Sequence, residues 1–76
     1  MEYTLTKEEI PQLHGGELLQ YLYSVECDIH GIEFELKYSN IVDGSAIHQD
    51  MITELKELKE LHEHLLDEFM IRKERE

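Results

Sequence analysis

The chain carries five histidines (His14, His30, His48, His62, His64), one cysteine, Cys27, and a large surplus of carboxylates. These are the residue types that build metal sites, thiol nucleophiles and acid–base pairs. A structural zinc site gathers about four ligands. In the stretch ELHEH, Glu60 and His64 would share a helical face, with Glu68 one turn further on. His62 and His64 are two residues apart, which turns them about 200° from each other on a helix. The HExxH spacing is absent, and solvated side chains on an acidic face explain the set more simply. Cys27 lies between Val25 and Ile29 on an apolar face, the setting of a packed thiol rather than a reactive one. There is no G-x-S-x-G elbow, no Gly-rich phosphate loop and no C-x-x-C. A catalytic carboxylate pair needs two contrasting environments, and these acids read as uniformly solvated. The sequence therefore predicts a non-enzymatic chain with no catalytic residue, metal or cofactor.

Composition narrows the partners. Among 76 residues, 18 Asp and Glu stand against 7 Lys and Arg, a net charge of −11 with histidines neutral. The length allows one small domain over 1–76, with marginal stability unless a staple or a partner supports it. Phosphates would be repelled, so neither nucleic acid nor an anionic membrane is an expected direct ligand. A lone cysteine, no apolar run near 20 residues and no leader pattern in MEYTLTKEE predict a cytoplasmic protein. The hydrophobic share of 41% argues against disorder.

The elements expected to position these groups form an α+β fold. In YSVECDIHGIEFELKY, Tyr23, Val25, Cys27 and Ile29 alternate with polar residues, and alternation resumes at Ile32, Phe34, Leu36 and Tyr38. Period-2 patterning on both sides of His30-Gly31 predicts an antiparallel β-hairpin, with strands at about 23–29 and 32–38. Tyr3 and Leu5 suit a short N-terminal strand at 2–6. Thr6-Lys7-Glu8-Glu9 has the capping-box pattern, but Pro11 and Gly15-Gly16 limit any helix there to a turn or two. Residues 17–23 read either as a short helix leading into the hairpin or as an extension of its strand. From about 46 to 72 the pattern is a long amphipathic helix. Its apolar stripe holds Ile47, Met51, Leu55, Leu58, His62, Leu65, Leu66 and Phe69, and Ser45 is its N-cap candidate. His62 in that stripe reads as a hydrogen-bonded core or interface histidine, with a pH-responsive contact as the sharper alternative.

Acid placement carries the functional expectation. From Glu8 to Leu36 the acids are Glu8, Glu9, Glu17, Glu26, Asp28, Glu33 and Glu35, with no Lys or Arg among them. In the expected hairpin register, Asp28 opposes Glu33 and Glu26 opposes Glu35, like charges that oppose folding. These four form the expected partner-binding face, and Asp50, Glu54 and Glu57 on the helix form a secondary one. In size and composition the chain is similar to small phage-encoded DNA mimics. That resemblance implies an acidic inhibitor or decoy that occupies the basic nucleic-acid-binding surface of a partner protein, such as a restriction or CRISPR effector. The alternative is a small regulatory or adaptor protein acting through its long helix. A helix over 46–72 spans about 40 Å and would overhang its own hairpin. A homodimer covering Leu58, His62, Leu65, Leu66 and Phe69, or a monomer completed there by its target, is therefore expected.

Overall fold

Leu18, Leu22, Val25, Ile29, Ile32 and Leu36 recur at alternating steps of four and three residues. Met51, Leu55, Leu58, His62, Leu65, Phe69 and Arg72 repeat the same steps. Two such seams can pack along each other as antiparallel helices. The computed structural model, which describes residues 5–75, has this arrangement. A 3₁₀ turn (Ile10–Gln12) precedes α1 (Gly15–Tyr38) and α2 (Ala46–Arg75), and no strand occurs among the described residues. A 30-residue helix is about 45 Å long, and the molecule measures 47 × 20 × 17 Å.

The β-hairpin expected over 23–29 and 32–38 is thus overturned: both arms belong to α1. The short helix expected near 17–23 is the first part of that longer one. The alternation was real but composite. Val25, Ile29, Ile32 and Leu36 form the seam, while Tyr23, Cys27, Phe34 and Tyr38 form a second, outward stripe on the same helix. The change of parity at His30-Gly31 is the seam's three-residue step from Ile29 to Ile32, not a turn. Of the expected strand at 2–6, residues 1–4 lie outside the described residues, and Leu5 and Thr6 have no regular structure.

The core is the line where the helices meet. Leu18, Val25, Ile29, Leu58 and Leu65 are buried, and Leu22, Ile32, Leu55, Leu61 and Phe69 pack against them. Ile10 joins this core from the N-terminal segment, which folds back over the end of α2. Arg72 holds that segment: its Nη2 donates to the carbonyl oxygens of Ile10 at 3.4 Å and Pro11 at 3.2 Å. Its Nε donates to Glu68 Oε1 at 3.1 Å. Because α1 runs beside α2 and residues 5–13 fold over its C-terminal end, Leu65 and Phe69, expected to be left uncovered, are packed within the chain.

Local chemistry sets the helix ends. The Glu17 carboxylate accepts a 3.2 Å hydrogen bond from the His14 N–H at the start of α1. Ser45 caps α2, its Oγ accepting from the His48 N–H at 3.2 Å. In the connecting loop, Gly44 takes φ +81°, a left-handed conformation that suits glycine. Its N–H donates to His48 Nδ1 at 3.2 Å, and His48 Nε2 lies 3.6 Å from Asp43 Oδ1. Arg72, Lys73 and Arg75 close α2, where cations complement the helix dipole. No described helix is long and apolar enough to cross a membrane.

Candidate interaction surfaces

A two-helix hairpin has one seam and two long flanks. Assigning the seam residues to heptad positions a and d puts e and b positions of both helices on one flank. Positions g and c of both helices then lie on the other flank. The 3.5 Å pair between Lys59 Nζ and Glu33 Oε2, both at e, fixes this register.

The g/c flank holds Glu17, Asp28 and Glu35 from α1 with Asp50, Glu54, Glu57 and Glu68 from α2. Among the helical residues on it, Arg75 at the tip is the only Lys or Arg. The N-terminal segment covers one end of this flank, where Lys7, Ile10, Pro11, His64 and Glu68 line a shallow cleft. Glu17, Glu35, Asp50 and Glu57 are exposed on this flank, and Asp28 is half-buried.

The e/b flank is different in kind. It carries Lys37, Lys56, Lys59 and Lys73 against Glu26, Glu33 and Glu63, so its charge nearly cancels. Between these lie Leu19 (53% exposed), Tyr23 (72%), Ile52 (45%), Leu66 (43%) and Met70 (50%). Every e and b residue from Leu19 to Lys37 and from Ile52 to Lys73 is exposed, and no other described part of the chain covers them. At one end, Gly15, Leu18, Leu19, Phe69, Arg72 and Lys73 border a notch of about 280 Å³.

The four-acid face expected on the hairpin is divided by this geometry. Glu26 and Glu33 stand on the e/b flank, and Glu33 is engaged with Lys59. Asp28 and Glu35 stand on the g/c flank, where Asp50, Glu54 and Glu57 join them. A helix turns successive even- or odd-numbered residues to different sides, whereas a strand keeps them on one side. Of the residues expected at a dimer interface, Leu58 and Leu65 are buried in the chain's own core, with His62 and Phe69 half-buried beside them. Leu66 alone remains exposed. The exposure of Leu19, Tyr23 and Met70 beside it was not anticipated. The four-and-three spacing running back from Val25 through Leu22 to Leu18 was the signal that could have found them.

Cys27 is a further correction. It is exposed on the outer face of α1 rather than packed between Val25 and Ile29. Phe34 and Tyr38 share that outer face, their ring centroids 4.7 Å apart, with Lys37 Nζ 5.4 Å from the Tyr38 centroid. Among the described residues, no three His, Cys, Asp or Glu side chains gather closely enough to hold a metal ion. Comparison with protein-family models, curated proteins and solved structures finds no match to this chain.

Proposed function

We propose that this chain is a non-enzymatic acidic binding module whose g/c flank engages the basic, nucleic-acid-binding surface of a partner protein. The observation that carries the reading is the segregation of charge. Asp28, Glu35, Asp50, Glu54 and Glu57 share one flank with Glu17 and Glu68, while the helical lysines stand on the other flank. Charges mixed only for solubility would be interspersed over both sides. Along α2, Asp50, Glu54 and Glu57 rise by about 4.5–6 Å from one to the next. A row of carboxylates on a rigid helix pair presents a linear anionic edge, which a groove lined with Lys and Arg can recognise. Asymmetric charge of this kind raises association rates with basic partners and makes them sensitive to salt.

The test is capture from a bacterial lysate at low salt with the full chain, then elution by rising salt. Basic nucleic-acid-binding proteins should be retained and should leave steeply as ionic strength rises. A purified partner should lose its nucleic-acid ligand when the chain is added. Changing Glu17, Glu35, Asp50 and Glu57 to their amides should abolish that competition, while changing Glu26 and Glu63 should not. Competition that survives the first set of changes would defeat the proposal. The exposed apolar residues of the e/b flank support a second activity, association through the helices, which is independent of the acidic flank.

A further inference from the structure

We infer that the e/b flank is the contact face for a second copy of this chain, completing an antiparallel four-helix bundle. The inference concerns a different surface from the acidic flank and stands independently of it. Three observations favour a second copy as the occupant.

The first is charge. At a net −11, two copies repel each other over most of their surface. The e/b flank is the side where Lys37, Lys56, Lys59 and Lys73 offset the local glutamates, so it is where two copies can approach.

The second is self-complementarity. Glu33 on α1 and Lys59 on α2 stand at one level, 3.5 Å apart, with 47% and 55% of their side chains still exposed. A two-fold axis along the bundle sets α1 of each copy against α2 of the other. At that level the four helices then present Glu33, Lys59, Glu33 and Lys59 in rotation, and each lysine lies between two carboxylates. The same axis brings the Leu19, Tyr23, Leu66 and Met70 cluster of one copy onto that of the other, as a closed isologous contact requires. All neighbouring helices run antiparallel, the up-and-down arrangement of four-helix bundles.

The third is area. Over the roughly 36 Å where the 24 residues of α1 lie beside α2, a face 20 Å wide offers about 700 Å² per copy, close to the roughly 800 Å² per partner of a standard stable interface. Lys7, Ile10 and Pro11 of the N-terminal segment lie against His64 and Glu68 on the opposite flank, away from this contact.

Sedimentation equilibrium of the purified full chain, from about 1 to 200 μM, tests the inference, with circular dichroism confirming helix content in every variant. The expected mass at the upper end is twice the 9.1 kDa chain mass. Leu66→Gln combined with Met70→Gln should weaken association at least tenfold with the helices intact. Lys59→Glu should weaken it comparably, and Lys59→Glu with Glu33→Lys should restore it to within about threefold. Gln20→Glu with Thr53→Glu adds the same charge on the outer face and should leave the mass unchanged. A monomer throughout the range overturns the inference. So does a dimer indifferent to the Lys59 and Leu66–Met70 changes. Binding of a basic partner is measured separately, so either result leaves the reading of the acidic flank to stand or fall on its own test.

Discussion

Arg72 Nη2 lies 3.2 Å from the Pro11 carbonyl oxygen, joining residues 61 positions apart in the chain. The same guanidinium is oriented by Glu68 from one turn earlier on α2. Three donor contacts on one planar group form a latch between the last turns of α2 and the segment leading into α1.

Arg72→Met keeps much of the side chain's apolar stem but removes its donors. It should cost about 1–2 kcal/mol, in keeping with part-exposed hydrogen bonds from a charged donor. Hydrogen exchange should speed up first in residues 5–13, while the middle of each helix stays protected. Uniform loss of protection along both helices would show that the latch holds the whole fold rather than its end.

Neighbouring leucines on α2 provide the sharpest contrast in stability. Leu65 is fully buried against α1, whereas Leu66, the next residue, is 43% exposed. Leu65→Ala should cost about 2–5 kcal/mol through lost burial and the cavity left behind. Total stability for a chain of 76 residues is expected at about 4–11 kcal/mol, so that variant approaches unfolding. Leu66→Ala should cost under about 1 kcal/mol in the monomer. Urea unfolding at a concentration below dimer formation compares the two, and equal losses would contradict the register.

How far the fold could be read from the sequence follows from these seams. Helix α2 was legible because its apolar seam is continuous, acids are frequent on its other faces, and neither Gly nor Pro interrupts it. The expected range of 46–72 compares with Ala46–Arg75 observed. Helix α1 was misread because it is apolar on two sides. The outward stripe of Tyr23, Cys27, Phe34 and Tyr38 filled the gaps in the seam and imitated a strand. Seam spacing from Leu18 to Leu36 exceeds the ordinary length of a strand, and that length was the better guide. The acidic surface was legible as composition but not as geometry. Asp28 and Glu33 were placed opposite each other, yet the helix turns them to different flanks.

Cys27 offers a direct check on the orientation of α1. An exposed thiol should react with a disulfide reagent in the folded protein at close to the rate of a small model thiol. It sits at the outer f position of the heptad, away from the e/b flank, so dimer formation should leave the rate unchanged. A thiol packed on the inner face of a sheet would react only as the protein opened. Protection that disappears in urea would therefore argue for the alternating-strand arrangement.

Two glycines give opposite signs, and one of them separates the helix from a β-hairpin. Gly31 lies inside α1 with a helical backbone, and a Cβ there would meet nothing within 4 Å. Gly31→Ala should stabilise the chain by about 0.5–1 kcal/mol, since alanine loses less backbone entropy on entering a helix. In a domain of this size that raises the unfolding midpoint by about 4 °C. Gly44 has equally open surroundings but a φ of +81°. Gly44→Ala should therefore cost about 1–2 kcal/mol despite the absence of any clash. If His30-Gly31 were instead a tight hairpin turn, glycine's access to positive φ would be needed there, and Gly31→Ala would destabilise. Thermal unfolding of the two variants, each followed by helix content, decides between the arrangements. A midpoint that rises for Gly31→Ala and falls for Gly44→Ala supports a continuous α1 and a left-handed turn at Gly44, whereas a fall in both would return His30-Gly31 to a turn.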